Sequence, residues 1–213
     1  REYIFWIVLG YLSGSLLFAL WLPRWICHVD IRQVSEDKNP GTFNVFQHCG
    51  AWMGSMVLAL EIGKAFLPVH MASQAVDMGR WPFALVLAAP VLGHAFPFWN
   101  CKKGGKSIAA SFGSLLGLHP LLLPAVLLAG CYLLFTLVIV INPHSMRSIV
   151  TFAVWMAGCG RILGPSVIGL GCFLIGVTVI GKHVKVYQGE NAALIFPLDG
   201  IVLHGDAVYL HLA

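Results

Sequence analysis

Between residues 107 and 146 the chain runs 40 residues without an aspartate, glutamate, lysine or arginine. Residues 3–22 form a second uncharged stretch, of 20 residues. A helix rises ~1.5 Å per residue, so about 20 apolar residues cross a ~30 Å hydrocarbon core. A soluble core cannot hide this many such stretches. Only 10% of the 213 residues are charged, against roughly 25% in a soluble domain. The expectation is all-α: an integral membrane helical bundle of about seven transmembrane helices. One membrane domain takes residues 1–185, and a cytoplasmic tail takes 186–213.

The spans are read at residues 3–22, 51–70, 81–98, 107–116, from about 121 to 141, 149–160 and 163–181. Those opening at Ser107 and Ile149 are short for a full crossing. Gly117-Leu118-His119-Pro120 separates the fourth from the fifth. The first run is too long for a signal-peptide core and lacks a following A-x-A-like site, so it reads as a retained helix. The six cysteines are scattered without a C-x-x-C spacing and read as small hydrophobes.

Basic residues near span ends set the orientation. With the N-terminus outside, the inner face holds Arg24, Arg32, Lys38, Lys102, Lys103, Lys106, Arg147, Lys182 and Lys185. The outer face holds Arg1, Arg80 and Arg161. This assignment puts four unusual polar segments on one face: residues 24–50, the Lys102-Lys103-Gly104-Gly105-Lys106-Ser107 loop, the turn at 142–148, and Lys182 onward. Four segments on one side suggest one site.

The Gly104-Gly105 loop has two readings. Adjacent glycines at positive φ before a helix start form an anion nest, and three lysines add charge. The other reading is a basic loop against anionic headgroups. It lacks the spacing of a Walker A motif. Arg32 is a candidate phosphate clamp through its guanidinium fork; a pair with Asp30 is the competing reading. Glu61 and Lys64 share a helix face inside a span, where charges face a partner or a cavity. His94 lies one turn before the basic loop, and a lone His in an apolar run is commonly a packing residue. Ser13, Gly14 and Ser15 fit close helix packing or a polar lining. Positive charge at one face points to anionic lipid; nothing points to nucleic acid.

In order along the chain, these residues resemble the bacterial acyl-phosphate:glycerol-3-phosphate acyltransferases (PlsY-type). Gly14-Ser15 is similar to the family's first-helix Gly-Ser. Asp30-Ile31-Arg32, Asn39, Gly41 and Asn44-Val45 resemble its Asp-Ile-Arg loop and the Gly/Asn-rich motif after it. Gly93-His94-x-Phe96-Pro97 through Lys103-Gly104-Gly105-Lys106 is similar to its most specific segment. Ser145 to Ile149 resembles its Ser-rich turn, and Lys182-His183 its last motif. There are departures: Leu17 stands for a proline, Thr42-Phe43 for an Ala-Thr pair, Ser107 for a glycine and Val186 for an asparagine, with Asn191 further on. The Asn/Gly loop is also one residue longer.

The resemblance implies acyl transfer from an acyl-phosphate to the 1-hydroxyl of glycerol 3-phosphate. It gives lysophosphatidic acid and phosphate at the cytoplasmic face of the bacterial inner membrane. It implies no cofactor, no metal and no obligate protein partner beyond membrane lipids. Arg32, Lys106, Ser145 and His183 would be catalytic. Ser15, Asn39, Asn44, Glu61, Lys64, His94, Lys103, Gly104, Gly105 and Ser107 would bind substrate and phosphate. The competing class is a non-enzymatic transporter or lipid-binding membrane protein. A carrier should place polar groups at mid-membrane depth in paired halves, and here they gather at one face.

Overall fold

The computed structural model describes residues 1–185 and three short strands, 193–196, 201–204 and 207–210. Val186, Asn191 and most of the expected tail lie outside the described residues. The helices are α1 (Glu2–Gly14), α2 (Phe18–Ile26), α3 (Ile31–Val34), α4 (Thr42–Ala75), α5 (Pro82–Ala95), α6 (Ile108–Leu116), α7 (Leu123–Leu133), α8 (His144–Leu163) and α9 (Val167–Val184). A wide π-turn, Leu134–Val138, extends α7.

Among the described residues, four stretches are long and apolar enough to cross a membrane: Glu2–Ile26, Thr42–Ala75, His144–Leu163 and Val167–Val184. Pro82–Ala95 and Leu123–Val138 are apolar but shorter. α6 has 9 residues, a rise of ~14 Å, so the run opening at Ser107 makes only a partial crossing. The run expected from Ile149 instead starts at His144, where the polar residues of the turn form the first helical turn. Large apolar side chains such as Phe5, Leu67, Val126 and Phe173 are exposed. In water they would be an aggregation liability; on a membrane bundle they face lipid.

Residues 42–49 fold back on the bundle as an arm of α4. Gly50, at φ 81°, separates them from the long crossing. Val45 is fully buried, and the Phe46 ring lies against Gly54. The last residues of the chain carry a weak hairpin signal, and a small antiparallel sheet forms at the other end of α7. There Val140–Asn142 (β1) pairs with Ala193–Phe196 (β2). Ile201–His204 (β3) and Ala207–Leu210 (β4) continue it.

α5 is the centre of the bundle, with 11 of its 14 residues buried. Its small residues admit α1 at backbone contact. A Cβ on Gly14 would lie 2.1 Å from the Pro90 carbonyl oxygen, and one on Gly93 would lie 2.1 Å from that of Tyr11. Only glycine fits either position, the close approach that small residues permit between membrane helices.

The first crossing breaks between α1 and α2. A break inside a bilayer exposes backbone groups that lipid cannot satisfy. α4 supplies the partners. Lys64 Nζ donates to the Leu16 carbonyl oxygen, and Glu61 Oε1 accepts from Ala19 N–H at 3.1 Å. The two side chains pair at 2.6 Å and are only 2% and 1% exposed. His94 Nδ1 lies 3.0 Å from Glu61 Oε2, which ties α5 to the same cluster. Trp99 Nε1 donates to the Ser15 carbonyl oxygen at 3.0 Å. Glu61 and Lys64 were read as a pair on one helix face and, from the resemblance, as substrate- and phosphate-binding; the structure places both at the helix break.

Thermal unfolding of detergent-solubilised protein tests this packing. Gly93→Ala should lose about 1–3 kcal/mol, because two backbones must move apart. Gly181→Ala, where an added Cβ meets nothing within 4 Å, should be neutral or stabilising by up to ~1 kcal/mol. Glu61→Leu and Lys64→Met should each cost about 3–5 kcal/mol by stranding a buried charge. The double variant should lose clearly less than their sum.

Candidate active site

The loop between α3 and α4 turns through Lys38, at φ 50°, and Asn39-Pro40-Gly41. That turn carries Asp37 inward. Burial alone would raise the Asp37 carboxyl, but its bonds to Lys106, Asn44 and the Asn39 N–H outweigh burial and hold it below the usual carboxylate range. Lys106 Nζ donates to Asp37 Oδ2 at 2.7 Å. The Asn44 amide donates to Asp37 Oδ1 at 2.9 Å and to the Asn39 carbonyl oxygen at 2.8 Å. The Asn39 N–H reaches Asp37 Oδ1 at 3.1 Å.

These groups border a cavity of about 970 Å³. Its polar wall includes Asp37, Asn39, Asn44, His94, Lys106, Ser107, His144 and Ser145; its apolar wall includes Phe46, Leu58, Ile62, Ile108 and Phe112. The first turn of α8 thus borders the cavity with His144 and Ser145. The opening N–H groups of a helix lack intrahelical partners and carry partial positive charge. A lining that combines polar groups with apolar side chains suits an anion joined to a hydrocarbon chain.

The Gly104-Gly105 loop works differently from the nest expected in sequence. Neither glycine has positive φ; Ser107 does, at 64°. A Cβ on Gly104 would sit 2.0 Å from the Ala95 carbonyl oxygen, and one on Gly105 would sit 2.2 Å from His94 Nε2. The glycines therefore let the loop lie against the end of α5. The last carbonyls of a helix need donors, and here the Gly105 N–H serves the His94 carbonyl at 3.0 Å. Lys182 Nζ reaches the carbonyl oxygens of Ala95 at 2.9 Å and Gly104 at 3.1 Å. That N–H is not free to hold an anion. The loop instead presents Lys106, with its side chain 9% exposed. Ser107 Oγ donates to the Val91 carbonyl at 3.1 Å.

Of the residues singled out in sequence, Asn39, Asn44, His94, Lys106, Ser107 and Ser145 share the cavity wall. Arg32 does not. Its fork is bidentate on Asp30, Nε to Oδ1 at 3.2 Å and Nη2 to Oδ2 at 3.0 Å. Asp30 also caps α3 through the Arg32 N–H, and the Arg32 bond holds its carboxyl below the usual range. His183 is fully buried behind the wall. Its Nδ1 lies 2.8 Å from the Val179 carbonyl oxygen, and its ring centroid is 6.4 Å from that of His144. Ser15 donates to the Tyr11 carbonyl at 2.8 Å, and Lys103 is exposed in the turn. Sequence reasoning missed Asp37 and His144. Glu36-Asp37-Lys38 reads as a solvated charge run, and nothing local marks its tie to a lysine 69 positions away.

Comparison with known proteins gives consistent matches. The family model described as glycerol-3-phosphate acyltransferase covers residues 4–189. The chain is 40% identical over 119 residues to the glycerol-3-phosphate acyltransferase of Maridesulfovibrio salexigens, over 55% of this chain and 60% of that protein. It is 40% identical over 129 residues to that of Pseudomonas aeruginosa, over 61% and 66% respectively. The matched stretch therefore spans under two thirds of these relatives' length. The fold matches the crystal structure of PlsY (YgiH), an integral membrane glycerol 3-phosphate acyltransferase, in its glycerol 3-phosphate form. That match has a TM-score of 0.74 and 26% identity, over 87% of this chain and 90% of the other. With a broken first crossing, a glycine-packed central helix and a family match over most of its length, this membrane protein belongs to the glycerol-3-phosphate acyltransferase family.

Proposed function

We propose that the protein transfers a fatty acyl group from an acyl-phosphate to the 1-hydroxyl of glycerol 3-phosphate, releasing lysophosphatidic acid and inorganic phosphate. The observation that carries the reading is the meeting of Lys106, Asn39, Asn44, Ser107 and Ser145 on one cavity with an apolar wall. The relatives, glycerol-3-phosphate acyltransferases, support the acceptor.

In this reading Lys106 binds a phosphate, and Ser145 with the start of α8 orients the second phosphorylated group. Ile62, Ile108 and Phe112 accompany the acyl chain. The acceptor oxygen attacks the acyl carbonyl carbon. The bond from that carbon to the phosphate oxygen breaks, and phosphate leaves with the electron pair. The hydroxyl proton passes to a phosphate oxygen, because the buried His183 is not on the cavity wall. The donor is already activated, so positioning and charge stabilisation carry most of the acceleration. Arg32 holds its fork on Asp30 and stands off the cavity wall. The balance of basic residues supports a cytoplasmic site in the bacterial inner membrane, with the N-terminus outside, residues 186–213 as a cytoplasmic tail, and no obligate protein partner.

Purified protein given palmitoyl phosphate and radiolabelled glycerol 3-phosphate should form lysophosphatidate. Lys106→Ala should reduce the rate by about 10²–10³-fold. Absence of product from folded wild type would defeat the reading. The orientation has its own test in Cys101, the one exposed cysteine of the six. A membrane-impermeant maleimide should label it in inverted vesicles and not in intact spheroplasts. The opposite pattern would reverse the topology.

A further inference from the structure

Three donors from separate places in the chain meet on the carboxylate of Asp37. Lys106 Nζ holds one oxygen at 2.7 Å; the Asn44 amide and the Asn39 N–H hold the other at 2.9 and 3.1 Å. An ammonium on one oxygen and two N–H groups on its neighbour is the donor set that an oxyanion takes. The carboxylate lies on the cavity wall, which Lys106 and Ser145 also line. Lys106 is nearly buried, and Asp37 is its hydrogen-bonded partner among the described residues. Its charge is therefore spent inside the protein before a ligand arrives.

A phosphate drawn to Lys106 meets this carboxylate at close range. Two anions on one ammonium repel, so one must give way. Asp37 is the more exposed member of its pair with Lys106, its side chain 30% exposed against 9%, and a change of its own χ angles would release Lys106. Asn44, which is buried on α4, stays in place with its amide still held by the Asn39 carbonyl.

We infer that Asp37 is an internal competitor for the phosphate site. Its carboxylate takes the donors that a substrate phosphate needs, keeps them converged, and thereby sets the affinity for phosphorylated substrate. This rests on the reading of Lys106 as a phosphate ligand. Asp37 is a specificity-determining residue here, and it takes no part in bond making.

The test compares wild type with Asp37→Asn and Asp37→Ser, each first shown by thermal unfolding to be folded. Asparagine keeps an acceptor for the loop and removes the charge; serine also removes the bulk. Two quantities are read: the KM for each substrate at saturating co-substrate, and inhibition by inorganic phosphate. Both the inhibition constant for inorganic phosphate and the KM of the substrate seated at Lys106 should fall about tenfold. The split between KM and kcat reads the effect: competition moves KM, and a change confined to kcat would count against it. Unchanged or raised constants in a folded variant would overturn the inference and make Asp37 a support for Lys106. Lys106→Ala in the same assay separates the two ideas. If that variant keeps the wild-type KM and phosphate inhibition, the phosphate reading of Lys106 fails. If it loses them while the Asp37 variants match wild type, only the competition fails.

Discussion

A polypeptide that breaks its helix inside a bilayer must find hydrogen-bond partners within the protein, and here Glu61 and Lys64 provide them. Their ion pair stands where α1 gives way to α2 and serves a carbonyl on one side and an N–H on the other. A buried ion pair is often no more stabilising than a hydrophobic replacement. This one does more than attract its own partner, because it also satisfies backbone groups that lipid would leave bare. His94 joins it from α5, so three segments are fixed at one depth.

From that cluster the site is built outward by packing. Gly14 and Gly93 bring α1 and α5 to backbone contact. The end of α5 is then fixed, and the glycine loop folds against it. Lys182 on α9 closes the arrangement by donating to both. The result is rotational as well as positional: with Gly104 and Gly105 facing α5, Lys106 faces the cavity. A side chain at either glycine would push the loop away from the helix end and take the lysine with it.

The cavity combines two environments that a phosphorylated lipid-like molecule needs at once. Part of its lining offers donors and positive charge, and part is hydrocarbon. Where apolar walls exclude water, each polar contact is electrostatically stronger than on an open surface. The same strength makes Asp37 consequential: a carboxylate among these donors competes on equal terms with an incoming anion. Lys102 and Lys103, exposed in the adjacent turn, share the sign of Lys106. Solvent screens them more effectively.

Much of the architecture was legible in the residues. Uncharged runs of crossing length required a membrane bundle, because no other solvent tolerates them. The spacing of Glu61 and Lys64 announced a pair, and the order of the motifs indicated the family. Lys106 and Ser107 were singled out from the chemistry of the basic glycine loop, and Asn39, Asn44 and Ser145 from the family resemblance. What sequence could not settle was direction. Two adjacent glycines fit a positive-φ nest or a close helix contact equally well, and only the neighbouring α5 decided for contact. Arg32 offered a fork to phosphate or to Asp30, and the one-turn helix α3 placed Asp30 within reach. Asp37 sat unremarked in a charge run until the fold brought a lysine from 69 residues away against it. Composition and spacing register the solvent a segment needs and the partners within a turn or two. Which distant groups share a cavity depends on how helices cross, and that is set by contacts no single segment contains.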